Sequence, residues 1–230
     1  MTRPERDLDD AESPWEHGHR ALLSRAAALS VGPDRRLLGI AGPPGAGKST
    51  LTAALLAAVG AERAVALPMD GFHRSNAWLA ANGLAGRKGA PETFDAEAFV
   101  AAVAAVRARP GAKHRLPAFD HAIQEPEPDA IEIGPGIRLV IVEGNYLLLP
   151  EQPWGELANL LHETWYVDVP RVELEARLFA RQREIWGDDA TARAFVERSD
   201  LANAALVERH RARADLIVSG RDRSFDARRA

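Results

Sequence analysis

The chain has 230 residues, of which 46% are hydrophobic and 27% charged, the usage of an ordinary globular protein long enough to bury one sizeable core. Its 29 basic and 33 acidic residues leave a formal charge of −4, which gives no electrostatic case for nucleic acid or an anionic membrane as a partner. Cysteine is absent, so disulfides, thiolate metal sites and a cysteine nucleophile are excluded, and no apolar run approaches the roughly 20 residues of a membrane helix.

Residues 1 to about 14 are charged, carry no apolar signal core and are expected to be disordered, with a cytoplasmic protein the simplest reading. The stretch "PWEHGHRALLSRAAAL" then predicts a helix. "RRLLGIA" (35–41) is a short apolar run ending in glycine and proline, the pattern of a buried strand. An alanine- and leucine-rich helix is expected over 48–59 and a second strand over 64–70. Residues 95–108 predict a helix with Asp95 as N-cap and Pro110-Gly111 closing it. The proline- and acid-rich "IQEPEPDAIEIGPG" (123–136) reads as a surface loop or short hairpin. Strands follow over 138–144 and 163–170, a helix from 171, a long helical stretch over about 191–213, and a last strand over 214–218. This alternation predicts an α/β fold: a five-stranded, mainly parallel sheet with helices on both faces, in one domain spanning 15–230. In such sheets ligands sit outside the carboxyl ends of the strands. The polar clusters at 42–50, 70–76, 143–146 and 168–171 all follow strands, so they are expected to converge on one crevice.

"GPPGAGKS" (42–49) matches G-x-x-x-x-G-K-[ST] in full, between a predicted strand and a predicted helix. Gly42, Gly45 and Gly47 let the backbone curl so that its N–H groups face phosphate oxygens, and the helix adds its positive N-terminus. Lys48 is placed to reach the β- and γ-phosphates, and the Ser49 hydroxyl to ligate Mg²⁺. Gly42, Gly45, Ala46, Gly47, Lys48, Ser49 and Thr50 are therefore the expected ATP-binding residues of a P-loop NTPase three-layer sandwich. The alternative of a non-kinase P-loop ATPase or nucleotide switch stays open. Even so, the chain lacks an N-K-x-D base-reading motif and an L-S-G-G-Q-like stretch, which favours a small-molecule kinase.

"LPMDGFHRSN" (67–76) sharpens that reading. Phosphoryl transfer to an alcohol needs a base on the hydroxyl while electrostatics handle the phosphoryl group, and Asp70, at the end of the second strand, fits that role. Glu143 ends the apolar "RLVIV" where a carboxylate can hold Mg²⁺, and Asn145 and Tyr146 follow it. "EARLFARQR" sets Arg177 and Arg181 one helical turn apart on one face of an expected lid over about 171–190, where an arginine can neutralise charge developing on the transferred group. The long segment from about 71 to 137 is expected to bind the acceptor, with Phe72, His73, Asn76, Arg87, Lys88 and His121 as candidate contacts beside Asn145 and Tyr146.

These residues resemble the phosphoribulokinase/uridine kinase family of P-loop kinases. The resemblance covers about residues 37–218. It is most specific in "MDGFHRSNAWLAANGLAGRKGAPETFDAEAFV", "PAFDHA" and "VIVEGNYLLL", which look like segments of bacterial type I pantothenate kinase and of its uncharacterised relatives, named variously for nucleoside/nucleotide or fructose-transport-system kinases. The resemblance implies ATP and Mg²⁺ as cofactors, Asp70 as catalytic base, His121 at the acceptor, Arg181 on the phosphates from the lid helix, and the nucleotide base near Ser219 to Arg221. Phe119 stands where the pantothenate enzymes have tyrosine, and the region before the P-loop is shorter than theirs. The acceptor is therefore left open among pantothenate-like, nucleoside and sugar alcohols, as is a homodimer.

Overall fold

The computed structural model describes residues 14–221 and 225–229; the expectation for the chain before Pro14 lies outside them. The elements run α1 Pro14–Leu29, β1 Arg36–Ala41, α2 Lys48–Val59, β2 Ala64–Pro68, α3 Asn76–Ala81, α4 Ala96–Ala108, β3 His114–Asp120, β4 Glu125–Ile133, β5 Leu139–Gly144, α5 Leu157–Leu160, β6 Glu163–Asp168, α6 Arg171–Trp186, α7 Asp189–Phe195, α8 Leu201–Glu208, β7 Leu216–Ser219 and β8 Asp226–Arg229. The main sheet has the order β2-β5-β1-β6-β7-β8. Its first five strands are parallel, as expected, and β8 adds an antiparallel edge that the sequence reading did not include.

The strands read as continuous apolar runs because both faces are covered. In β5, Val140 and Val142 enter one core with Phe99, Val103 and Val106 of α4. Leu139 and Ile141 enter the opposite core with Leu22 of α1, Leu51 and Leu55 of α2, and Leu174 and Leu178 of α6. The period-2 alternation of a strand thus feeds two helical layers, giving the three-layer sandwich.

Two expectations are corrected and one is resolved. Of the two readings of 123–136, the hairpin holds: Glu125–Ile133 pairs antiparallel with β3 as a separate two-stranded sheet, whose first strand, His114–Asp120, was not expected. Pro126 and Pro128 are tolerated because neither sits in a central strand, and the register shifts between Leu116 and Ala118, beside Asp129 with its left-handed φ of 56°. The stretch 191–213 is not one helix. A π-helical segment, Val196–Asp200, separates α7 from α8, and a 3₁₀ turn follows over Arg211–Arg213. Finally, β2 stops at Pro68, and Met69–Phe72 forms a 3₁₀ turn, so Asp70 stands beyond the end of the strand.

Candidate active site

β1 is the sheet's inner strand between β5 and β6, so the loop leaving it at Gly42 opens among the carboxyl ends of its neighbours. Gly42, Gly45 and Gly47 hold φ values of 151°, 78° and 95°, a left-handed backbone that side-chain-bearing residues rarely adopt. A Cβ on Gly45 would sit 3.0 Å from Leu178 Cδ2 of α6. The curl ends at α2, whose first N–H groups have no partner within the helix. Ser49 and Thr50 are exposed on that first turn, while Ala46 is buried beneath it.

Lys48 is folded back into the loop. Its Nζ donates to the Pro43 carbonyl at 3.0 Å and to Asn145 Oδ1 at 2.7 Å. Burial pushes the ammonium down to about 8, against the opposing fields of Glu143 and Asp70, and Arg181 lowers it further. Both of its hydrogen-bond partners are neutral, so its donors can pass to polyphosphate oxygens, which would bring counter-charge by direct contact. The Ser49 hydroxyl donates to the carboxylate of Glu143. Hydroxyl and carboxylate oxygens in contact suit Mg²⁺, which takes few protein ligands and leaves its other positions to water and phosphate. Among the described residues, no group of three or more His, Asp or Glu side chains could hold a metal ion.

A cavity of about 400 Å³ opens beside the loop, and its lining includes Pro44, Asp70, His73, Asn76, Lys88, Phe119, His121, Gln124 and Asn145. The Asp70 carboxylate acts electrostatically on both Lys48 and His73. The turn that presents it is crossed closely by the β3–β4 hairpin: a Cβ on Gly71 would lie 2.3 Å from the Pro117 carbonyl oxygen. Gly71 is thus required by close approach, not by its dihedral angles. His73 Nδ1 lies 2.8 Å from the Asp70 carbonyl, and its ring packs 4.0 Å from Phe94 and 4.8 Å from Phe119, centre to centre. Burial lowers the imidazole below its ordinary value. A carbonyl only accepts, so in the neutral ring Nδ1 carries the proton and Nε2 is left as an acceptor.

The α6 side of the cavity is set by a polar network. Arg181 donates to Asp200 Oδ1 at 3.1 Å, and Gln182 Nε2 to Asp200 Oδ2 at 2.8 Å. Trp186 Nε1 in turn donates to Gln182 Oε1 at 3.2 Å. Burial raises the Asp200 carboxyl, with Arg181 and Gln182 holding it back. Arg177, on the same face of α6, is bound to backbone instead. It donates to the carbonyls of Ala46 at 3.2 Å and Gly220 at 2.8 Å, and to Glu173.

Asp70, His73, Asn76, Lys88, His121, Asn145 and Arg181 thus meet at one cavity, with Lys48, Ser49 and Glu143 joined beside it. Three expected contacts do not line it. Phe72 is buried against Phe99, 5.2 Å between ring centres. Tyr146 is fully buried and donates to the Gly89 carbonyl. Arg87 is exposed and pairs with Glu92 at 2.7 Å. Gln182, Asp200, Asn203, Trp186 and Phe195 line the cavity without having been expected there. They come from helices whose periodic pattern marks burial, not which buried polar groups face a ligand.

This sheet order, with a glycine cradle between β1 and α2 and an acid ending β5, defines a P-loop NTPase. No protein-family model matches the chain. It is 35% identical over 221 residues to a Schizosaccharomyces pombe protein provisionally named uridine kinase C227.14, covering 90% of this chain and 92% of that one. It is 38% identical over 209 residues to the uncharacterised protein YggC of Escherichia coli, covering 88% and 86%. A crystal structure from Silicibacter sp. TM1040, provisionally described as a fructose transport system kinase, matches with a TM-score of 0.77 at 38% identity, covering 85% of this chain and 98% of that one. The chain belongs to the phosphoribulokinase/uridine kinase family of ATP-dependent P-loop kinases. Among its described residues no helix is long and apolar enough to cross a membrane.

Proposed function

We propose that the protein transfers the γ-phosphoryl group of ATP to a hydroxyl of a small metabolite, with Asp70 as the base. One observation carries this reading. The Asp70 carboxylate lines a cavity that also takes in Pro44 of the P-loop and Asn145, the partner of Lys48, and its field acts on the Lys48 ammonium. An alcohol in that cavity lies between a carboxylate able to take its proton and a loop built for phosphate.

In the reaction the acceptor oxygen forms a bond to the γ-phosphorus as the bond from that phosphorus to the β–γ bridging oxygen breaks. Asp70 takes the hydroxyl proton, and ADP leaves with the bridging oxygen. Lys48 leaves its neutral partners for the phosphate oxygens. Arg181, 45% exposed at its side chain, is free enough at its tip to turn from Asp200 towards the transferring group. Ser49 and Glu143 would hold Mg²⁺, which when bound supplies positive charge to the β- and γ-phosphates. By the family resemblance the nucleotide base would rest near Ser219 to Arg221, where the Gly220 carbonyl accepts from Arg177.

The test is ADP release measured with and without a panel of hydroxylated metabolites covering hydroxy acids, nucleosides and sugars. Stimulation by one compound, with that compound recovered phosphorylated, supports the kinase. Uniformly slow release unaffected by any of them supports a nucleotide switch instead.

A further inference from the structure

Among the described residues, four formally charged side chains line the cavity: Asp70, Lys88, Arg181 and Asp200. Arg181 and Asp200 pair with one another, and Asp70 is balanced by the field of Lys48. Lys88 is different. Its Nζ donates to Asn76 Oδ1 at 2.6 Å and to the Gln124 carbonyl at 2.5 Å, both neutral. An ammonium has three donors, so one is left for a ligand. The acid whose field acts on it is Glu125, which is not among the residues lining the cavity. Glu125 Oε1 accepts instead from the Asn76 backbone N–H at 2.9 Å.

The position is built, not incidental. Gln124 holds a left-handed φ of 56°, uncommon for a residue with a side chain. That turn lets one carbonyl accept from both Lys88 and Asn76. Gly89, next in the chain, is pinned from two sides: its carbonyl accepts from the buried Tyr146 and its N–H donates to Thr93 Oγ1 at 3.0 Å. Tyr146 lies three residues after Glu143, so the same strand end that carries the acid beside Ser49 also fixes the segment bearing Lys88. The Phe119 ring lies 5.3 Å from the ammonium, and burial draws its pKa down. A freely solvated lysine contributes little to anion binding. One partly desolvated and held in place by neutral groups contributes far more.

We propose that the acceptor carries a negatively charged group, a carboxylate or a phosphate monoester, and that Lys88 anchors it so that the acceptor's hydroxyl faces Asp70. This rests on the kinase reading and narrows it: neutral sugars and free nucleosides leave the Lys88 ammonium without a counter-charge. Lys88 sets which alcohol is bound and takes no part in the chemical step.

The experiment uses compounds matched except for charge: glucose, gluconate and glucose 6-phosphate, and uridine with uridine 5′-monophosphate. Each is assayed for phosphorylation with ATP and Mg²⁺, and for direct binding by calorimetry. An anionic member is expected to be preferred over its neutral partner, and the gluconate and phosphate arms tell which anion is recognised. Lys88→Met is expected to raise KM for that anion about 10- to 100-fold with kcat nearly unchanged, Lys88→Arg to restore part of it, and ATP binding to be retained by both, showing that the variants are folded. Preference for the neutral members, or an anion KM indifferent to Lys88→Met, overturns the anchor while leaving the kinase standing. Phosphorylation of nothing, with anions still bound through Lys88, overturns the kinase and keeps the anion site. No binding of any anionic member overturns the inference.

Discussion

Lys48 and Asn145 are joined at 2.7 Å from the first turn of α2 to the end of β5. The phosphate-binding lysine is thereby held by the segment that also carries Glu143, and Glu143 accepts from Ser49 next to that lysine. Two cross-links between the same two segments fix the cradle relative to the acid before any ligand arrives, the kind of preorganisation that transfer chemistry needs.

Holding a lysine there has a cost that depends on pH. Burial lowers its pKa from the ordinary 10.5 to about 8. Between those two values the unfolded chain holds a proton that the folded protein has released, so unfolding free energy rises with pH across that window. The contribution is fully present above 10.5 and is lost as pH falls through 8. Relative to Lys48→Met, the wild type is therefore expected to gain stability from about pH 8 to about pH 10.5, by at most about 3 kcal/mol. Parallel urea titrations read the difference, and a flat difference across that range contradicts the assignment.

Arg177 ties α6 to the carbonyls of Ala46 and Gly220. Arg177→Ala is expected to destabilise by about 2–4 kcal/mol and to weaken nucleotide binding together with stability. Arg177→Lys should restore little, because one ammonium cannot reproduce a planar fork that reaches two backbone segments and Glu173. Chemical denaturation and nucleotide titration of the two variants provide the check. A lysine variant that behaves like wild type would show that charge alone matters there.

Arg181 partners a buried carboxylate. Its removal leaves the Asp200 carboxyl, already raised by burial, without its cation, and raises it further. A carboxyl raised in the folded state destabilises when ionised, and that penalty is lost as pH falls through its folded pKa. Arg181→Ala is therefore expected to lose more stability at pH 7 than at pH 5, and to lower kcat by about 10²-fold or more. Thermal melts at the two pH values and steady-state kinetics read both effects; equal destabilisation at both pH values would remove Asp200 from the explanation.

Gly71→Ala places a methyl 2.3 Å from the Pro117 carbonyl oxygen, so the hairpin has to move. The expected loss is about 1–3 kcal/mol, with a fall in kcat/KM larger than stability alone explains, because the same turn carries Asp70. Kinetics measured well below the melting temperature separate the two effects.

The parts of the site that were legible in the sequence are those where local chemistry admits few alternatives. A glycine cradle before a lysine, an acid closing an apolar strand and an Asp-Gly after a second strand each state a backbone requirement together with a charge. A hairpin at 123–136 was legible only as an alternative to a loop, because Pro126 and Pro128 argue against a strand unless it is an edge, as β4 is here. The π-helical break at 196–200 was invisible because no glycine or proline interrupts the sequence from 189 to 208, and only tertiary packing decides that Asp200 turns inward to Arg181. Arg87 and Lys88 were indistinguishable as neighbours in a loop. The fold sends Arg87 to Glu92 in solvent and Lys88 to the cavity, a separation set by the Tyr146 and Thr93 contacts to Gly89.

The central claim is that Asp70 removes the acceptor's proton, and Asp70→Asn tests it most directly. The amide keeps the size of the carboxylate and discards the base. With the acceptor identified, single-turnover phosphorylation is expected to slow by about 10²–10⁴-fold, while calorimetric ATP binding stays within a few-fold of wild type. Phosphorylation by Asp70→Asn at the wild-type rate would contradict the account.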